Sequence, residues 1–260
     1  MSTMLTLQHA RALGKFTAPL LFLVIASCRS GTSLATASGD RAPDVLRPGA
    51  AEINVSHLAT ATNAYRMMVR MHPDSADREA GRGETAVRTI DHAGAAAVLL
   101  VSAFGKPGQF TDTALVVRST LAPVWETMHL GNSTTRFDYD GAVVRVAKTT
   151  PDSGTRTVEH SYDVPVFHFN ELDVLIRSLP YRVGYNTILP LYSEGSDALE
   201  MDTVRVMSKS ADNVWTIRFA DPAIVATYEV SASTREIVRY EFIARRNGSR
   251  VRRERIPADR

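Results

Sequence analysis

A single cysteine, Cys28, stands in the 260-residue chain. No disulfide can form within it, and stability must come from a packed core, which a chain of this length can supply. No apolar run reaches the roughly 18 residues of a membrane-spanning helix; the stretch from Phe16 to Ala26 is too short to cross a bilayer. Absent too are the G-x-S-x-G elbow, H-E-x-x-H, the P-loop and G-x-G-x-x-G. Their absence removes the enzyme classes that a sequence motif would reveal.

What is present starts with the leader. Arg11 and Lys15 precede the apolar run, and Ile25-Ala26-Ser27-Cys28 closes it, with small residues where an extended backbone must enter a peptidase groove. This order resembles the lipobox of the prolipoprotein family. The resemblance implies that residues 1–27 are a lipoprotein signal peptide and that Cys28 carries a thioether-linked diacylglycerol and becomes an acylated N-terminus. The alternative is an ordinary signal peptide and a free thiol. Each buried CH₂ contributes about 0.8 kcal/mol, so two or three acyl chains hold a protein firmly to a membrane. Arg29 stands where an aspartate would signal inner-membrane retention, which points to an outer-membrane lipoprotein facing the periplasm, with the inner membrane or cell surface as alternatives.

Arg11 and Lys15 are the only charged residues of the leader, so its removal lowers the basic residues from 30 to 28, equal to the 28 acidic ones. Nucleic acid is a poor partner for such an envelope protein. Seven arginines crowd the end, from Arg245 to Arg260, and read either as a patch for phosphate groups or as a solvated edge strand blunted by charge. Residues 28–50 hold the lipidated cysteine and a segment rich in Ser, Thr, Ala, Gly and Pro, expected to be a flexible tether. A single β-rich domain is expected over 51–260.

Period-two alternation carries that expectation. Tyr65, Met67, Val69 and Met71 form one apolar face, as do Val158, His160, Tyr162 and Val164; Trp215, Ile217 and Phe219; and Val238, Tyr240 and Phe242. Turn signals separate the runs, with Asp140-Gly141 expected to form a type I′ hairpin. Ala95 to Phe104 is continuously apolar and reads as a central strand covered on both faces, with Ala97 a small residue facing inward. One helix interrupts the pattern: Asn170 as N-cap, a stripe of Leu172, Leu175, Ile176 and Leu179, Glu171 on the polar side, and Pro180 as the stop. The fold class is therefore mainly β, an antiparallel strongly curved sheet or open half-barrel with one amphipathic helix packed on it. That helix reads as core packing or as a lid. A faint echo between Val117–Tyr139 and Val230–Glu241 suggests a meander of like units.

The run from Asp112 through Pro123-Val124-Trp125, the Phe137-Asp138-Tyr139-Asp140-Gly141 hairpin, Ile176 to Pro180, Gly184-Tyr185 and Leu189-Pro190-Leu191 together resemble a family of bacterial secreted proteins classed as a domain of unknown function. Its layout is similar to the open-barrel lipoprotein carriers LolA, LolB and LppX, which implies a concave sheet able to shelter acyl chains. A single helix departs from those carriers, and no binding residue transfers.

Candidate chemistry is sparse. His160, Asp163 and His168 are close in sequence and could hold zinc or activate water, but His160 falls on an apolar strand face and reads better as structural. Asp138 and Asp140 lack the further oxygens of a calcium loop. Trp125, Trp215, Tyr185 and Tyr192 could line an apolar site or simply fill the core. No catalytic, cofactor-binding or metal residue is assigned, and Cys28 is the one modification site. The function expected is a non-enzymatic envelope module for an apolar or lipid ligand or an envelope protein partner, with a hydrolase of dispersed site and a structural assembly lipoprotein as alternatives.

Overall fold

The computed structural model describes residues 43–257 except 107 and 195–198. Cys28, the leader and residues 29–42 lie outside the described residues. The chain first forms β1 (Asp44–Val45), then a meander of β2 (Ala61–Arg70), β3 (Arg78–His92), β4 (Ala95–Phe104), β5 (Phe110–Val117), β6 (Pro123–Leu130), β7 (Ser133–Asp140), β8 (Val143–Thr150) and β9 (Gly154–Ser161). A crossover follows, carrying β10 (Phe167–His168), a 3₁₀ turn (Phe169–Glu171) and α1 (Leu172–Ser178). A second meander returns through β11 (Asn186–Tyr192), β12 (Glu200–Lys209), β13 (Val214–Ala220), β14 (Ile224–Ser231), β15 (Ile237–Ala244) and β16 (Arg250–Arg255).

The two meanders join where β16 pairs antiparallel with β2, from Arg250↔Arg70 to Arg255↔Tyr65. The result is one large open sheet running from β11 at one end to β9 at the other, with β1 and β10 each adding a short parallel pairing to β11. The mainly-β, open-sheet expectation holds.

The crossover puts α1 inside the curve. Val69, Val87, Val98 and Leu100 from one arm and Val204, Ile217, Phe219 and Val251 from the other share a core with Leu172, Leu175, Ile176 and Leu179. The four helix residues are at most 3 % exposed, and burying each contributes about 1.5–3 kcal/mol. Seven residues cannot sustain a helix in water, so this burial is what holds α1 together.

Several expectations change. Val174, Arg177 and Ser178 are buried as well, so α1 is enclosed nearly all round rather than amphipathic, and Glu171, expected on the polar side, is 2 % exposed. Asn170 is not the N-cap: it lies inside the 3₁₀ turn, which His168 caps, its ring accepting from Asn170 N while the Glu171 side chain caps the His168 backbone, and the N-cap of α1 itself is Glu171. The structured chain begins before residue 51: Asp44 and Val45 pair with Thr187 and Ile188, and buried Leu46 supplies the apolar anchor that a flexible tether lacks.

The arginine-rich end is not an edge strand. β16 is internal, and its cations are held: Arg250 by Asp77, Arg252 by Asp77 and Glu254, Arg253 by Asp173 and Arg255 by Glu236. The edge is β9, where Val158 is 46 % exposed, because the sheet stops there and leaves its alternation without a partner. In β4, Val98 and Leu100 enter the helix-facing core, whereas Leu99 and Val101 on the other face remain partly exposed, so cover is one-sided. Ala97 shares the strand phase of Leu99 but is 2 % exposed, a small buried residue as expected.

The hairpin after β7 has Gly141 and Ala142 between the Asp140↔Val143 pair, with positive φ at Gly141 alone. That is the type II′ pattern rather than I′. At Gly83 the reason for glycine is close approach, since an added Cβ would lie 1.9 Å from Phe104 Cδ1.

Candidate functional site

The ends of the open sheet approach one another without backbone pairing. Tyr192 of β11 stands 6.0 Å from Phe137 of β7, 5.7 Å from His160 of β9 and 6.2 Å from Tyr162, centroid to centroid. Lys148 of β8 donates to Glu194 at 2.9 Å across the same gap. Side chains therefore close the seam that hydrogen-bonded strands leave open.

Beside this seam lies a group of buried ionisable side chains. Register places Ala114, Glu126, Phe137 and Val146 in one row across the inner face, with Asp112, Met128 and Thr135 in the next. Glu126 and Asp112 thus occupy the apolar phase of their strands, and both are at most 6 % exposed. Opposite them, β10 and the 3₁₀ turn bring His168, Asn170 and Glu171. Glu126 Oε2 meets His168 Nδ1, and Asn170 Nδ2 donates to Glu126 Oε1 at 2.6 Å. Glu171 Oε2 accepts from His168 N at 3.4 Å.

Burial sets the electrostatics. It pushes the Glu126 carboxyl up to about 8, against the lowering effect of its contacts with Asp112 and Asn170. The Asp112 carboxyl is raised well above its usual range by burial first and by the Glu126 charge second; Glu171 is raised in the same way. The Tyr139 hydroxyl is raised by burial and by these carboxylates. One oxygen each of Asp112 and Glu171, and the Tyr139 hydroxyl, have no hydrogen-bond partner among the described residues. Burial thus favours the protonated form of each of these acids.

A pocket of about 110 Å³ opens against it. Met128, Phe137, Ile224, Tyr240 and Phe242 supply apolar walls, and His168, Asn170, Ser193 and Glu194 supply the polar ones. On the far side of α1 a void of about 30 Å³ between Tyr65, Leu100 and Arg177 has room for little more than water. The helix packs against the inner face of the sheet, where the resemblance to the open-barrel carriers implied a shelter for acyl chains.

The residues singled out from sequence are largely dispersed. His168 is buried at the centre of the site, but His160 lies on the edge strand and Asp163 is exposed, so the three do not converge. Asp138 pairs with Arg136 at 2.7 Å on the outer face. Trp125 lies under Arg136, Trp215 packs on Tyr181, and the Tyr185 hydroxyl donates to Glu52, all away from the pocket. Of these four aromatics Tyr192 alone reaches the seam, where it meets His160 and His168. Asp112, Glu126 and Glu171 were missed; the available signal was a carboxylate in the apolar phase beside Ala114 and Val116 or beside Met128.

Among the described residues one group could hold a metal ion: Glu200, Asp202 and Asp221, with carboxylate oxygens within 4.8 Å of one another. Ser193 Oγ donates to Glu200 at 3.2 Å, and Asp221 Oδ1 accepts from Ala223 N and Ile224 N at 2.5 and 2.6 Å.

Residues 65–238 match a family model described as a protein of unknown function, DUF3108. The chain belongs to the DUF3108 family. In this DUF3108 protein the match spans both arms and the crossover, so the seam and its buried acids lie within the family domain. Among solved structures, the chain matches a candidate outer membrane lipoprotein-sorting protein domain from Vibrio parahaemolyticus at 8% identity and a TM-score of 0.26, over 77% of this chain and 84% of that one. No curated protein sequence matches this DUF3108 chain.

Proposed function

We propose that this protein is a non-enzymatic binding module of the bacterial envelope, held to the outer membrane by lipid on Cys28 and facing the periplasm, that receives a small apolar group at the seam of its open sheet. The pocket walled by Met128, Phe137, Ile224, Tyr240 and Phe242 carries this reading. Its volume is of the order of an engineered cavity that takes up benzene, about 150 Å³. It suits a short apolar segment rather than whole acyl chains. Water leaving such walls contributes roughly 25 cal/mol per Å² buried, and the few polar groups at one end would fix orientation. The Ile25-Ala26-Ser27-Cys28 sequence supports the anchor.

The test is saturable binding of a small apolar fluorescent probe to the full-length chain carrying Cys28→Ala. Ile224→Trp, which fills the pocket, should abolish binding while the circular dichroism melt stays cooperative. Absence of saturable binding to the unfilled pocket, or equal binding after filling, would overturn the reading.

A further inference from the structure

The outward phase of β11, β12 and β13 carries two arginines and no acid. Asn186, Arg205 and Arg218 follow one another across the register, whereas the acids of β12, Glu200 and Asp202, share the inward phase of Val204 and Val206. Like charges directly opposite on one face of a sheet are destabilising, so an anion from outside the fold relieves the Arg205↔Arg218 pair. Neither arginine is ion-paired among the described residues, and Glu229, the acid next to Arg218 in register, is held by Arg239 at 3.8 Å. Arg205 also lines a recess with Pro43, Arg182, Val183 and Tyr185, where the described chain begins. Asp44 and Glu52 are the acids of that recess, and Glu52 accepts from the Tyr185 hydroxyl at 2.9 Å. At the β12–β13 turn one acid, Asp212, stands against one base, Lys209. Arg218, and Arg47 exposed just after β1, leave this side of the protein with a positive surplus. Apolar side chains are set among the cations: Val45, Val183, Met201 and Met207 are between 36 % and 65 % exposed. They are four of the six large apolar residues left in the open among the described residues, a concentration that marks an interaction surface.

We infer that the outer face of β11–β13 docks on the anionic phospholipid surface of the membrane that holds the anchor. The inference rests on the lipid anchor of the proposed function and adds how the domain lies on the bilayer. Fourteen residues, 29–42, separate Cys28 from Pro43 at the recess and can span at most about 50 Å, so the anchor keeps this face within that distance of the headgroups. Guanidinium groups match phosphate oxygens with two parallel hydrogen bonds, and each arginine strengthens association with an anionic surface about fivefold. The exposed valine and methionine side chains enter between the headgroups and leave water as the arginines engage. Two or three such cations orient an anchored domain; they do not retain one that has lost its anchor.

The experiment reconstitutes the lipidated protein in vesicles of phosphatidylcholine alone or of phosphatidylcholine with phosphatidylglycerol. A thiol-reactive fluorophore is placed at Val183→Cys, in the recess, or at Ala95→Cys, exposed on β4 seven strands away across the sheet. The thioether at Cys28 blocks labelling there. Acrylamide should quench the Val183 label several-fold less on the anionic vesicles than on the neutral ones, and the Ala95 label alike on both. Arg205→Gln/Arg218→Gln, or raised salt, should remove the difference while the thermal melt is unchanged. Equal quenching of the Val183 label on the two vesicles, in a chain that floats with both, overturns the inference and leaves the anchor standing. Protection that follows protein density rather than lipid charge assigns the face to a second copy of the chain and also overturns it. A chain without an added cysteine that takes up the fluorophore at Cys28 and fails to float overturns the anchor, and the inference with it.

Discussion

Glu126 and His168 face each other 42 residues apart in sequence, one on a strand of the outgoing meander and the other on the crossover, and their contact pins the crossover to the inner face of the sheet. Both are almost wholly buried, so the pair is held where water cannot compete with it.

The first prediction follows from that burial. The folded Glu126 carboxyl keeps its proton up to about pH 8, whereas the unfolded one releases it near 4.5. Between those values the folded state binds more protons, so its stability is greatest at the acid end and falls as pH rises toward 8. Glu126→Gln removes this dependence. Denaturant unfolding of the two proteins at pH 5, 7 and 9 should show the wild type losing ground against the variant as pH rises; parallel curves would contradict the assignment.

Leu175→Asp and Ile176→Asp should each destabilise the domain by about 3–5 kcal/mol, since a carboxylate would replace an apolar group with no partner to hand. Glu171→Ala should cost about 1–2 kcal/mol rather than nothing, because the Glu171 side chain caps the His168 backbone. Urea midpoints at constant slope provide the measurement.

Arg253 is 9 % exposed and bound to Asp173 of α1. Removing one member of such a pair leaves an uncompensated charge, so Asp173→Ala should destabilise by about 3 kcal/mol. The double variant Asp173→Ala/Arg253→Met should recover much of the loss. A double variant no better than Asp173→Ala would mean that the pair itself is stabilising.

Gly83→Ala places a Cβ into the Phe104 ring and should cost about 1–3 kcal/mol. Adding Phe104→Leu should return part of it if overlap is the cause. Strain in the backbone of β3 would leave the double variant unimproved.

Cys28→Ala should move the protein from the membrane fraction to the soluble one while its melting curve is unchanged, and a palmitate analogue should label the wild type alone. Label on the variant would refute the anchor.

The strands were legible because Tyr65, Val69, Ile217 and Phe219 alternate against one core, and the helix because Leu172, Leu175, Ile176 and Leu179 recur at helical spacing. What hides α1's remaining burial is that both arms close on it: Arg177 donates to Arg235 O at 3.0 Å, a contact that only the returning meander creates. Val158 misled for the opposite reason, since alternation reports a face able to be covered and not whether a neighbour arrives. The acid group was invisible because Asp112, Glu126 and Glu171 come from three elements. Their proximity depends on strand register, which no local pattern encodes.

The junction between β2 and β16 also sets an order of events. Arg70 pairs with Arg250 across 180 positions, so the outgoing and returning meanders are two separate ribbons until the last strand is in place. Up to that moment β2 and β15 each present a raw edge open to any extended chain. A protein that lost residues 250–255 would forfeit more than a strand: its halves would share side-chain contacts but no backbone pairing, and intermolecular pairing would be the nearest way to satisfy both edges.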